Sequence, residues 1–160
     1  MTTPYLLFAG LALAMRASST QTATPSYNLV STYSGETFFD NFEFYTGADP
    51  TNGYVNYTDQ SLAESLGLVK VNGQGAASTA YIGVDHTTIA STARNSVRIS
   101  SKQTFESNSL FVIDAQHVPV GYGLWPAMWL LGTAGTWPAG GGEIDFFESC
   151  LLYTSDAADE

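Results

Sequence analysis

The sequence predicts an all-β domain, a sandwich of two antiparallel sheets, and three observations carry that prediction. Between Tyr27 and Ser149 no long stretch repeats its apolar residues at helical spacing. Short apolar or alternating runs are instead cut by clusters of Gly, Asn, Pro and Ser, the pattern of many short strands joined by turns. Composition agrees: 12% of residues are charged, and Gly, Ser, Thr, Asn and Tyr fill most polar positions, as turns and half-buried strands prefer.

The elements follow in chain order. Residues 6–15 are an apolar run too short to cross a bilayer as a helix, and Ala12-Leu13-Ala14 offers a small-x-small cleavage site. Residues 1–26 therefore read as a secretory signal peptide and Ser/Thr-rich spacer, although no Lys or Arg precedes the run. The protein is expected to be secreted, with no membrane association after cleavage. A loop over 49–53 leads to a strand at 54–58. Residues 59–65 read as a single helical turn, with Ser61 and Glu64 spaced as a capping box. Residues 72–75 form a loop and 132–141 another; strands are expected at 76–82, 96–100, 110–114, 127–131 and 142–148. Residues 150–160 resemble the conceptual translation of a sequencing-library adapter, and are expected to be a non-native tail. On that reading residues 27–149 are the N-terminal part of one domain, incomplete as it stands.

Charge narrows the function. With 15 acids against five bases the chain carries a net charge of −10, and no basic stripe could displace counterions from nucleic acid. A neutral polymer such as a polysaccharide is compatible. The single cysteine, Cys150, excludes an internal disulfide and a cysteine-based metal site. His86 and His117 have no ligand spacing around them, so no metal and no cofactor are expected.

Three acids fall within six residues in Gly142-Glu143-Ile144-Asp145-Phe146-Phe147-Glu148. On a regular strand Glu143 and Asp145 share a face, while Glu148, five positions on, points the other way. A one-residue bulge between Asp145 and Glu148 would bring all three to one side. Same-face neighbours are roughly 6.5–7 Å apart by strand rise, of the order of the about 5–5.5 Å separating the two carboxyl groups of a retaining glycosidase; an inverting pair, about 6.5–9.5 Å apart, is the alternative that fits less well. A solvated strand face or a calcium site would use the same acids.

The wider pattern is more specific. Glu-x-Asp-x-x-Glu follows a glycine pair and Trp-Pro-Ala-x-Trp, here Trp125 to Trp129. Residues 49–57 (Asp-Pro-Thr-Asn-Gly-Tyr-Val-Asn-Tyr), 94–99 (Arg-Asn-Ser-Val-Arg-Ile), 123–129 and Trp137-Pro138 complete an ordered set. Over about residues 27–149 the chain resembles glycoside hydrolase family 16, most closely the fungal endo-β-1,3(4)-glucanases of the laminarinase type. The resemblance implies a jelly-roll sandwich of the concanavalin A kind, a cleft across its concave sheet, and hydrolysis of internal β-1,3 or mixed β-1,3-1,4 glucosidic bonds with retention. It implies Glu143 as nucleophile, Glu148 as general acid/base and Asp145 between them. It also implies Trp125 on the glycone side, Trp129 and Trp137 nearby, and Arg98 and Asn56 hydrogen-bonding sugar hydroxyls. Indole faces and the donors of Arg and Asn suit a sugar's two kinds of surface. The expected partner is a β-glucan, bound by a monomer.

Two features depart from the family pattern. An additional glycine after Trp137 loosens that residue's placement. Asn56-Tyr57-Thr58 is a glycosylation sequon, and a glycan there would obstruct a cleft, so Asn56 is expected to be unmodified. Two other functions fit the same residues. A non-catalytic, lectin-like glucan-binding sandwich would keep the aromatics but has no need of paired glutamates. A cell-wall transglycosylase would differ only in whether sugar or water accepts the glycosyl group.

Overall fold

The computed structural model describes residues 26–121, 123–132 and 141–149. Apart from Ser26, the expected leader and spacer, together with Trp137 and the tail 150–160, lie outside the described residues. The elements are a 3-10 turn (Gly35–Asn41), β1 (Phe42–Phe44), β2 (Val55–Tyr57), α1 (Gln60–Ser65), β3 (Val69–Asn72), a second 3-10 turn (Gly75–Ala77), β4 (Thr79–Ile82), β5 (Arg94–Ser96), β6 (Ile99–Ser101), β7 (Ala127–Leu131) and β8 (Glu143–Glu148). The all-β class holds. The strands pair as four two-stranded ladders, β1–β6, β2–β5, β3–β4 and β7–β8. Three are antiparallel, but β2 and β5 run parallel, joined through α1, β3 and β4, a crossover of the length that parallel pairs need.

Several expectations are corrected. The strand expected at 96–100 is two strands, because the chain leaves β5 after Ser96 and enters β6 at Ile99, with Val97 and Arg98 between the ladders. Residues 110–114 form no strand; Leu110, Val112 and Ile113 are 62%, 85% and 45% exposed, so the alternation there has no face to bury. The strand β3 was not expected, its four residues being too few for alternation to stand out. The helical turn is present, but its N-cap is Asp59, whose carboxylate accepts the Leu62 N–H at 2.8 Å, and Ser61 lies inside the helix.

The core sits around α1 and the first 3-10 turn. Phe39, Ala63, Leu68 and Val69 are buried, with Phe38, Phe44, Val71, Ala80 and Val97 packed against them. The helix stops where its C-terminal side enters this core. Gly67 adopts φ +68°, its N–H reaches Glu64 O (3.0 Å), and the next N–H, of Leu68, reaches Ala63 O (2.8 Å). That pair of bonds is a Schellman cap, and the positive φ is the reason for a glycine.

From this core a chain of aromatic contacts runs outward. Phe39 meets Phe38 (5.1 Å between ring centroids), Phe38 meets Phe42 (4.9 Å), Phe42 meets Tyr33 (5.3 Å) and Tyr33 meets Phe105 (6.4 Å). Phe105 meets Phe111 (5.1 Å), and Phe111 meets Phe146 of β8 (5.4 Å). The catalytic candidates are thereby tied to the folded body through rings. Each such pair contributes about 0.5–1.5 kcal/mol beyond area burial.

Removing the α1 cap should separate the two candidate caps: Asp59→Ala is expected to cost about 0.5–2 kcal/mol, and Ser61→Ala within about 0.5 kcal/mol of zero. Chemical denaturation of the two variants measures it, and equal losses would return the cap to Ser61.

Candidate active site

The acids of 143–148 form β8, and its partner β7 decides which way their side chains point. Met128 lies opposite Phe147 and Trp129 opposite Asp145, so Phe146 has no partner of its own. This is the bulge expected between Asp145 and Glu148. Unbroken β7 places Ala127, Trp129 and Leu131 on one face by its two-residue period. Their direct partners Glu148, Asp145 and Glu143 share that face. The extra residue thus gathers three carboxylates into a row, all of them exposed.

The spacing differs from the sequence expectation. The same-face neighbour of Glu143 is Asp145, whereas Glu148 stands opposite Ala127, at the far end of β7 from Leu131. The two glutamate Cα atoms are therefore roughly 13 Å apart by strand rise, twice the same-face step. Their carboxyl groups approach one another only if both side chains lean inward over the shorter Asp145.

Trp125 stands beside this row. Its indole N–H donates to Glu148 Oε1 at 3.0 Å, and the residue is 57% exposed, which removes it from the core. The Ser149 N–H bonded to Pro126 O (3.0 Å) extends the ladder to the residue after Trp125. Trp129, half-buried and opposite Asp145, carries the Arg98 guanidinium over its ring at 5.1 Å. The same guanidinium lies over the Tyr45 ring, at 4.8 Å. Arg98 is held by two rings, and among the described residues it enters no salt bridge, the one pair being Arg94 with Asp85 at 3.6 Å.

Asn56 is placed differently from the rest. It faces Asn95 across the β2–β5 ladder and donates its amide N–H to Asn95 Oδ1 at 2.8 Å, and no described hydrogen bond joins it to the carboxylates. Thr58, the third residue of the sequon, is 2% exposed and donates its hydroxyl to Ser96 O at 3.3 Å. Trp137 lies outside the described residues. His86 and His117 are exposed and lie between strands.

Tyr45, Tyr57 and Asp49 adjoin the site and were not singled out in the sequence. The Tyr57 ring meets Tyr45 edge-on (5.6 Å, 70°), and its hydroxyl lies 3.4 Å from Asp49 Oδ1. Burial raises the Tyr57 pKa, the Asp49 charge raises it further, and Arg98 opposes both. For Asp49, burial works to raise the pKa. The bonds from Thr51 Oγ1 (2.6 Å) and the Gly53 N–H (2.6 Å) outweigh it, so the carboxyl sits below its ordinary value. A tyrosine beside a strand reads as packing, which hid Tyr45; the 49–57 segment reads as a loop and a strand and as part of the family pattern, with no role for Asp49 or Tyr57.

The chain was compared with known proteins. The profile of the XgeA-like catalytic domain of GH16 matches residues 42–158. A probable endo-1,3(4)-beta-glucanase of Aspergillus niger is 50% identical over 152 residues, covering 92% of this chain and 20% of that protein. An elongating GH family 16 β-1,3-glucosyltransferase of solved structure is 37% identical with a TM-score of 0.63, over 80% of this chain and 42% of its own. Laminarinase 16A of Phanerochaete chrysosporium, solved with 6-O-glucosyl-laminaritriose in donor and acceptor sites, is 34% identical with a TM-score of 0.59, over 77% of this chain and 40% of its own. The jelly-roll class expected from sequence is the fold the chain shares with these two enzymes. The chain spans about a fifth of the length of the curated relatives it matches.

Two outcomes test the geometry. Trp125→Ala should lower folding stability by less than about 1 kcal/mol, where a core tryptophan would cost about 3–5 kcal/mol; thermal melting distinguishes them. Asp49, its pKa lowered on folding, stabilises the fold above its unfolded value of about 3.9, and that contribution is lost as pH falls through the lowered folded value. Melting temperatures followed from pH 6 to pH 2 should therefore drop less steeply for Asp49→Asn than for the wild type.

Proposed function

Since this chain belongs to glycoside hydrolase family 16, among its XgeA-like catalytic domains, we propose that the protein hydrolyses internal β-1,3 or mixed β-1,3-1,4 glucosidic bonds by a retaining double displacement. The supporting observation is the bulge at Phe146, which sets Glu143, Asp145 and Glu148 along one exposed face of β8. In this reading Glu143 attacks the anomeric carbon while Glu148 donates a proton to the departing glycosidic oxygen. A glycosyl–enzyme ester forms on Glu143. Glu148, now a carboxylate, takes a proton from the water that cleaves the ester, and the sugar leaves with its original configuration. The inward lean of the two glutamates would bring their carboxyl groups toward the about 5–5.5 Å that this chemistry uses. Asp145, between them, would hold the nucleophile.

The substrate would lie across the same face. Trp125 offers an exposed indole beside Glu148, and Arg98 offers guanidinium donors to sugar hydroxyls. Asn56 and Trp137 are proposed as further sugar contacts on the family resemblance alone. Secretion belongs to the same reading, supported by the apolar run at 6–15, and places the enzyme where polymeric cell-wall glucan is found.

A glucosyltransferase is the second reading, favoured by the similarity to an elongating β-1,3-glucosyltransferase. Both activities share the glycosyl–enzyme step and part at the acceptor.

The full-length gene product should act on laminarin or barley β-glucan, with retained configuration in the first products seen by proton NMR. Glu148→Gln should lose about 10²–10⁴-fold in turnover and Glu143→Gln at least as much, both remaining folded. Inverted products would overturn the double displacement. Products longer than the substrate would move the assignment to the transferase, and glucan binding without turnover to the lectin-like module.

A further inference from the structure

Tyr45 touches none of the three carboxylates by any described hydrogen bond, yet it is fixed at four points. Its N–H donates to Arg98 O (2.9 Å), its hydroxyl donates to Ala48 O (2.7 Å), its ring meets Tyr57 edge-on, and its face lies 4.8 Å from the Arg98 guanidinium. Arg98 itself lies between β5 and β6, and the bond from Tyr45 N–H to its carbonyl continues the β1–β6 ladder by one residue. The guanidinium also lies over Trp129, the direct partner of Asp145, at 5.1 Å. The order is therefore Tyr45, Arg98, Trp129, and then the acidic row.

We infer that Tyr45 is a positioning residue that acts through Arg98, holding the guanidinium against Trp129 so that its N–H edge is presented to a sugar on the Glu143–Asp145–Glu148 face. This rests on the glucanase reading above. The physical argument has two parts. A guanidinium attracted to ring faces is held without a hydrogen bond, so that attraction leaves N–H donors at its rim. A cation near three carboxylates would otherwise fold onto one of them as an ion pair, and the donors spent there would be lost to substrate. The two rings hold Arg98 by an attraction that does not itself use its N–H donors, of which one faces the Tyr57 hydroxyl and the others remain for a sugar.

The test is a double-mutant cycle in the full-length gene product, with laminarin as substrate. Tyr45→Leu should raise KM between about threefold and thirtyfold, the range that loss of one cation–π contact spans, with kcat within about twofold of wild type. Tyr45→Phe keeps the ring face and loses only the bond to Ala48 O, and should raise KM less than Tyr45→Leu does. In an Arg98→Met background, Tyr45→Leu should change KM by less than about twofold, because the group it acts through is gone. Replacing Tyr45 with pentafluorophenylalanine preserves shape and removes the negative ring face; it should raise KM as Tyr45→Leu does, and serves if that variant does not fold. An unchanged KM in Tyr45→Leu, or an equal effect in both backgrounds, would overturn the inference while leaving the glucanase reading intact. A wild-type protein without binding or turnover of β-glucan would overturn both.

Discussion

The site depends on one residue too many in β8. Substitutions along a strand alter what a face carries, but the bulge at Phe146 decides which face Glu148 is on at all. A bulge disrupts the ladder locally, and this one has an anchor: the unpaired Phe146 ring packs at 5.4 Å on Phe111. Through Phe105, Tyr33, Phe42 and Phe38 that contact continues to buried Phe39. The register of the acidic strand is thus coupled to the packing of the opposite end of the described chain.

The second constraint is electrostatic. A chain of net charge −10 exposes three carboxylates in a row, and the base brought nearest to them along the described contacts is Arg98, stacked on Trp129. Arg98 lies in the break between β5 and β6, within neither strand, and its guanidinium reaches Trp129 of the β7–β8 ladder. Irregular backbone in this region is therefore part of the site, as is the Asp49 loop, whose carboxylate ties Thr51, Gly53 and Tyr57 together.

How legible this was depended on the range of the interaction concerned. Residues 127–131 and 143–148 were legible because their apolar residues and spaced acids follow a strand period, and the bulge followed from counting side-chain directions. The strand at 55–57 and the helical turn beginning at Gln60 were legible for similar local reasons. Leu110 to Asp114 misled, because alternation shows that a strand could form and cannot show that anything lies against it. Ser61 and Glu64 had capping-box spacing, yet Asp59 took the cap two residues earlier. The contacts of Arg98 with Tyr45 and Trp129 join residues from three distant segments, and no local pattern announces them.

The paired ends of the sequon carry a different kind of consequence, one of timing. Asn56 and Thr58 are engaged by Asn95 and Ser96, which leave the ribosome about 40 residues later. Before those residues emerge, the acceptor amide has no partner; afterwards the amide, though still exposed, is hydrogen-bonded, and the Thr58 hydroxyl is buried. At roughly 5–20 residues per second, synthesis leaves an interval of about 2–8 s in which a glycosylating enzyme could find Asn56 open. For a chain that enters the secretory pathway, as proposed above, glycosylation of this asparagine is then a race between two rates, strand pairing and sugar transfer, and slowing translation between residues 58 and 95 would tilt it toward modification.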